Sequence, residues 1–312
     1  MKNNKIIILG GAGLVGQNLI YQLKNKGYSH IVVFDKHREN LAVLRKLQPD
    51  IIAEYADLAE SGSWQDHFNE AETVIMLQAQ ISSMKEDDFL RNNVHSTSNA
   101  LNAMRKYKVP YVILVSSSVI ESVADDFYTH TKKQQEDLVV QSGLPYLVLR
   151  PTVMFGWFDR KHFGWLSRFM KKSPVFPIPG YHSCIRQPLY VADFCNIIIN
   201  CIQTRVYGKI YNISGREKID FIDIIREIKR ATKSNILILR LPIKLFFGLL
   251  WMWSLVNKNP PFTTQQLTAL IANDEFEVID WPEIFQAPCT PFKEAIAETF
   301  TDPKHSKVIL EF

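Results

Sequence analysis

The sequence predicts an α/β protein: a doubly wound parallel sheet with helices on both faces, joined to a smaller C-terminal lobe. Three observations carry this. Residues 5–16 read Lys-Ile-Ile-Ile-Leu-Gly-Gly-Ala-Gly-Leu-Val-Gly, an apolar run ending in glycines at 10, 13 and 16, and an amphipathic segment follows at once. Strand-like and helix-like segments then alternate to about residue 150, the pattern of βα units around a parallel sheet. A second apolar run, His30–Phe34, closes on Asp35, 19 residues beyond Gly16.

The glycine segment is a buried strand turning tightly into a helix whose N-terminus is bare, a ready site for phosphate. Gly10 lets the chain turn, Gly13 lets a pyrophosphate approach the backbone, and Gly16 lets the helix press on the sheet. Ala12, Leu14 and Val15 complete the cradle. A carboxylate at Asp35 suits ribose hydroxyls and repels a 2′-phosphate, so the cofactor expected is NAD. Lys36 and Arg38 follow within reach of such a phosphate, which leaves NADP as the second choice. The fold is therefore Rossmann-like, with strands expected near 5–9, 30–34, 51–55, 72–77, 110–116 and 145–149. Helices are expected near 14–25, 39–47, 62–68, 87–107 and 129–142. Ligands bind such a sheet at the carboxyl ends of its strands, where the strand order reverses.

After Arg150-Pro151 the rhythm changes. Prolines 174, 177 and 179, followed by Gly180, read as a structured loop. Helical periods return near 190–203, 219–231, 242–256 and 263–271, with strands near 209–213 and 235–239. The division expected is an NAD(P)-binding domain over 1–155 and a mainly helical substrate-binding lobe over 156–312, with chain returns to the first domain.

Composition sets limits. The 312 residues are 46% hydrophobic and 22% charged, ordinary for a soluble globular chain. The net charge of +4 is mixed in sign throughout, with no basic run that argues for nucleic acid. The four cysteines lack Cys-x-x-Cys spacing and the histidines lack ligand spacing, so no metal is expected and the thiols read as reduced and cytoplasmic. Residues 241–256 are strongly apolar but fall short of the roughly 20 residues that a membrane span needs. A packed helix is the first reading, and peripheral contact with a membrane interface the second.

Tyr128-Thr-His-Thr-Lys132 is the sharpest chemical signal. On a helix, residues four apart share a face, which sets the phenol beside the ammonium. A nearby cation favours phenolate, and a phenol so tuned can exchange a hydroxyl proton while a hydride moves. The fifth strand ends in Ser116-Ser117-Ser118, hydroxyls that can bind a reacting oxygen. Asp125-Asp126 reads as a helix-start signal.

These motifs resemble the extended short-chain dehydrogenase/reductases, within the NAD-dependent epimerase/dehydratase family that acts largely on nucleotide sugars. Gly10-x-x-Gly13-x-x-Gly16 matches the family's glycine motif, with Leu9 for the usual threonine. Asp57-Leu58 matches a pair that contacts adenine, and Val74-Ile-Met-Leu-Gln-Ala79 stands where the family has Val-Ile-His-Leu-Ala-Ala. Asn93-Val-His-Ser-Thr97, the three serines, Tyr128-x-x-x-Lys132 with Glu136, and Leu149-Arg-Pro-Thr-Val-Met-Phe-Gly156 follow in the family's order. Arg186-Gln-Pro-Leu-Tyr-Val-Ala-Asp193 resembles the stretch whose arginine meets the nucleotide diphosphate.

The resemblance implies Tyr128 as acid/base, Lys132 on the nicotinamide ribose and Ser118 on the reacting oxygen, with Ser117 next. It implies further cofactor contacts from Leu77, Gln78, Ala79, Asn93, Ser116, Pro151 and Val153, and substrate contacts from Ser117, Ser118 and Arg186. The function expected is an NAD-dependent epimerase or 4-keto reductase acting on a nucleotide sugar, with homodimers formed through the helices after strands four and five. The alternatives are a hydroxysteroid-type dehydrogenase, on the strength of the apolar 241–256, and a non-catalytic NAD(P)-binding subunit. The chain departs from the family after the serines, where Val119-Ile-Glu121 replaces Ala-Val-Tyr-Gly. A dehydratase reading is disfavoured, because resembling members carry an acidic pair there and this chain has Glu121 alone.

Overall fold

A computed structural model describes residues 4–122, 125–256 and 275–310. The first half runs β1 (Lys5–Leu9), α1 (Leu14–Asn25), β2 (Ile31–Asp35), α2 (Arg38–Leu47), β3 (Ile52–Tyr55), a 3-10 turn (Ser63–Phe68) and β4 (Ala71–Met76). There follow α3 (Glu86–Phe89), which passes through a π-helical turn (Leu90–His95) into α4 (Ser96–Lys106), then β5 (Val112–Val115), α5 (Phe127–Val140) and β6 (Tyr146–Pro151). The second half has β7 (Met154–Phe155), α6 (Phe163–Lys172), β8 (Val175–Pro179), β9 (Ile185–Arg186), β10 (Leu189–Tyr190), α7 (Val191–Thr204) and β11 (Lys209–Ile213). It closes with β12 (Ile219–Asp220), α8 (Phe221–Ala231), β13 (Leu237–Leu241), α9 (Ile243–Val256), α10 (Trp281–Phe285) and α11 (Phe292–Thr301).

Seven parallel strands form the central sheet in the order β11-β6-β5-β4-β1-β2-β3. The order reverses between β1 and β4, so the crevice for a ligand opens above Leu9 and Met76, which are paired in register. Strand residues alternate between two cores. Ile6, Ile8 and Val33 pack with α1, α2 and α7, whereas Ile7, Leu9 and Phe34 pack with α4 and the 3-10 turn. A third core fills the smaller lobe, where Phe155, Phe163, Met170, Phe176, Ile225 and Ile296 meet. Helix α7 and strand β11 belong to the sheet's own core, with Phe194, Ile197, Ile198 and Ile213 buried there.

Two segments depart from the sequence reading. Pro177 and Pro179 lie within strand β8, which begins just after Pro174, rather than in a loop; it pairs in parallel with β13, and a two-stranded ribbon tolerates prolines whose missing N–H a central strand would need. Residues 163–172 form α6, a helix the sequence did not announce. Asp159 caps it, its carboxylate accepting from the N–H groups of His162 (2.9 Å), Phe163 (2.8 Å) and Gly164 (3.2 Å). The helix expected near 263–271 lies outside the described residues. The segment at 241–256 contains α9, and no helix among the described residues is long and apolar enough to cross a membrane.

Candidate active site

The glycine turn joins β1 to α1. Gly10 has φ of +72°, and a Cβ there would lie 2.6 Å from the backbone of Gln78 at the end of β4, so only glycine allows the two strand ends to meet. Gly13 is the N-cap of α1 and no side chain caps it. A Cβ on Gly13 would find nothing nearer than the Gly10 carbonyl, at 4.0 Å, so the helix end is open. Gly16 serves close packing, but against the turn itself: its Cβ would lie 2.1 Å from the Gly11 carbonyl oxygen. Ala12 is fully buried, and Leu14 and Val15 are half-buried against the sheet's core.

Asp35 closes β2 and ties the turn to it. One carboxylate oxygen accepts from the Ala12 N–H and the other from the His37 N–H, both at 2.9 Å. Burial raises its pKa against the pull of those bonds. Each oxygen keeps a further lone pair for a ribose hydroxyl. Lys36 reaches across to Asn92 at 2.8 Å. Burial opposes ionisation of Asp57, yet Arg91 at 2.7 Å and the Ala59 N–H hold its carboxyl below the usual range. Leu58 is buried beside it in the core. Leu77 donates its N–H to Leu9 at 2.8 Å, Gln78 is buried, and Ala79 is exposed at the crevice end of β4.

Asn93 sits in the π-helical turn, fully buried. It accepts from the Gln80 N–H at 2.6 Å and donates to Thr131 Oγ1 at 2.9 Å, which binds the loop after β4 to α5. A π turn inside a helix marks functional positions often, and here it aims a side chain that joins both elements. Nothing in the sequence signals this turn, because it does not alter the apolar period.

Helix α5 starts at Asp126, whose carboxylate accepts from the Thr129 N–H at 2.8 Å. Tyr128 lies in the first turn of α5, near the Ser117 hydroxyl. Burial pushes the phenol above its ordinary value, and the Ser117 hydroxyl opposes that. Lys132 is fully buried, with Nζ donating to the Val115 carbonyl at 3.1 Å and to Gln135 Oε1. Burial pulls its pKa down to about 8, against the attraction of Glu136. The Lys132 side chain turns from α5 inward to the end of β5. Burial, rather than Lys132, sets the direction of the Tyr128 shift, upward where the sequence reading expects it downward.

Among the serines, Ser117 faces Tyr128, while Ser118 opens a 3-10 turn (Ser118–Glu121) and is buried. Ser116 and Gln78 are buried, and neither the Ser116 hydroxyl nor the Gln78 side-chain amide has a hydrogen-bond partner among the described residues. Pro151 is buried at the end of β6, and the Val153 carbonyl accepts from the Leu189 N–H at 2.9 Å. Arg186 lies on β9 in the smaller lobe, with its guanidinium on the Ile185 carbonyl at 2.7 Å. Behind α5 runs a network that the sequence did not disclose. Arg150 holds Glu136 through a fork of bonds at 3.0, 3.2 and 2.7 Å and also binds Glu121, which accepts from Asn212 at 3.1 Å.

The residues present fit a dinucleotide: an uncapped helix end, a carboxylate beside it, and two buried polar side chains without protein partners where β4 and β5 end. A model of the NAD dependent epimerase/dehydratase family matches residues 6–214. The chain belongs to this family. It is an NAD-dependent enzyme of the extended short-chain dehydrogenase type. UDP-N-acetyl-alpha-D-glucosaminuronate decarboxylase of Bacillus cytotoxicus is 21% identical, covering 77% of this chain and 84% of its own length. The UDP-glucuronic acid 4-epimerase of Bacillus cereus, solved with NAD, aligns at TM-score 0.67 and 21% identity over 76% of this chain and 87% of that one. A UDP-N-acetylglucosamine 4-epimerase from Methanobrevibacter ruminantium M1, solved with UDP-N-acetylmuramic acid, aligns at TM-score 0.74 and 16% identity over 96% and 97%. The solved structures share this chain's fold.

Proposed function

We propose that this member of the family is an epimerase or 4-keto reductase of a nucleotide sugar, with Tyr128 as its acid/base. The observation that carries the reading is the nearness of Tyr128 to the Ser117 hydroxyl past the carboxyl end of β5, on the same edge of the parallel sheet as the uncapped N-terminus of α1. Bound NAD supplies a hydride acceptor, and NADH a donor. The bare N-terminus of α1 at Gly13 holds the pyrophosphate, Asp35 the adenosine ribose, and Asp57 the adenine edge. Tyr128 takes the proton of the sugar hydroxyl as it is oxidised, and returns one on reduction. Ser117 holds that oxygen, a role that its contact with the phenol favours for it over Ser118. Lys132 keeps one donor beyond those engaged by Val115 and Gln135, and this donor serves the nicotinamide ribose. Arg186 clamps the diphosphate of the sugar nucleotide. Glu121 is committed to Arg150 and Asn212, which supports a reaction other than dehydration.

A homodimer and a peripheral membrane contact through 241–256 complete the reading. The test is turnover of UDP- and dTDP-sugars with NAD or NADH, read by sugar chromatography and dinucleotide absorbance. An epimerase inverts the sugar with no net change in dinucleotide; a reductase consumes NADH mole for mole. Turnover that survives intact in Tyr128→Phe overturns the assignment.

A further inference from the structure

Acidic and basic residues are segregated in this chain in a way its small net charge conceals. Residues 160–192 carry six lysines and arginines, and residues 228–256 carry five, with no aspartate or glutamate in either stretch. All 32 acidic residues lie elsewhere. The fold brings the two stretches together, because β8 and β13 pair in parallel, Leu237 opposite Val175 and Leu239 opposite Pro177.

Strand β13 alternates. Ile236 and Ile238 face the core of the smaller lobe, while Leu237 and Leu239 point the other way and are 56% and 40% exposed. The chain passes through Pro242 directly into α9, whose sequence carries a single charge, Lys244, in 14 residues. Leu245 and Met252 on α9 are half exposed, and so is Tyr181 just beyond β8. Exposed cations flank this apolar surface: Lys171 and Lys172 at the end of α6, Lys233 after α8, and Lys244. None of these four makes an ion pair among the described residues. Lys229, Arg230 and Lys233 share a recess with Ile238 of β13.

We propose that the β8–β13 ribbon and α9 form a face that docks on an anionic lipid bilayer. Exposed leucines interleaved with lysines that make no ion pair among the described residues, and no carboxylate within either stretch of chain, are what an anionic bilayer binds; Asp223 and Glu227 at the edge of the recess are neutralised by Arg226 and Arg230. The 14 described residues of α9 fall short of the roughly 20 that a span needs, and in this proposal they lie along the interface. This extends the peripheral contact of the reading above from the helix alone to the sheet face beside it, and it is independent of the dinucleotide chemistry.

The experiment is sedimentation of the full-length protein with vesicles of phosphatidylcholine, alone or mixed with phosphatidylglycerol, at moderate salt. The protein pellets with the mixed vesicles and stays in solution with the neutral ones. Lys233→Glu with Lys244→Glu weakens binding at least tenfold, given about fivefold for each lysine lost at a membrane surface. Leu237→Ser with Leu239→Ser also weakens it at least tenfold, while Lys26→Glu with Lys46→Glu, the same change in net charge elsewhere, leaves it within twofold. NADH affinity, measured on each variant, stays unchanged and separates this proposal from the enzymatic one. Equal binding to both vesicle types, equal loss in the Lys26/Lys46 control, or no pelleting would overturn it. So would a dimer in sedimentation velocity that the leucine variant abolishes while vesicles bind neither form.

Discussion

Gly13 and Gly16 stand three residues apart and answer to different constraints. A methyl on Gly13 meets only the Gly10 carbonyl at 4.0 Å, whereas one on Gly16 meets the Gly11 carbonyl at 2.1 Å. Gly13→Ala should therefore melt within a degree or two of the parent and bind NADH at least tenfold more weakly, since its methyl crowds the pyrophosphate. Gly16→Ala should lose about 2 kcal/mol of stability through forced movement of α1. Calorimetric melts paired with NADH titration tell the two apart, and similar behaviour in both would contradict the roles given. Lys132 has a folded pKa of about 8 against 10.5 in the unfolded chain. Between those values the folded protein binds fewer protons, so burial of the charge is unfavourable in full below pH 8 and is relieved as pH rises toward 10.5. Over that window the parent should gain about 3 kcal/mol relative to Lys132→Met. Urea unfolding of both proteins at the two ends of the window checks it, and parallel pH profiles would count against it. Tyr128→Phe should lower turnover about a thousandfold, within the range for a removed acid/base, with NADH affinity held within threefold.

Helix α5 shows what an element's sequence discloses and what it does not. Its start at Asp126 was legible, because an aspartate ahead of a helical period is a capping signal. Asp126→Ala should cost about 1 kcal/mol in urea unfolding and leave NADH binding unchanged. Glu136→Ala should cost more, about 3 kcal/mol, because it takes from the part-buried Arg150 its buried partner and leaves it the exposed Glu121; a loss no larger than that of Asp126→Ala would mean that Arg150 simply swings to solvent. The Arg150 network itself left no local trace, since Glu121, Glu136, Arg150 and Asn212 come from four separate segments. The choice between Ser117 and Ser118 turns on a 3-10 turn, and the direction of Lys132 on a buried carbonyl, neither of which spacing encodes. Strands β1, β2, β4, β5 and β6 were legible because each carries an apolar run buried on both faces, whereas β3, at the sheet's edge with only Ala53 buried, was legible by its place in the alternation of strands and helices. Strand β8 was not, because its prolines argue against a strand wherever the partner strands are unknown.

At the scale of the molecule, the sheet's core depends on residues far along the chain. Helix α7 covers the face that also holds α1, strand β11 extends the sheet beside β6, and Trp281 of α10 donates to the Ser214 carbonyl at 2.9 Å. A fragment of residues 1–155 should consequently expose that face, bind a hydrophobic dye strongly and fail to bind NADH. The glycines and Asp35 alone do not make the site; the assembled crevice between β1 and β4 does. Calorimetric titration of the full-length protein with NADH tests the central claim most directly. The account predicts one saturable site per chain, weaker for NADPH because Asp35 meets the 2′-phosphate. Absence of saturable binding by NADH and by NAD alike would contradict it.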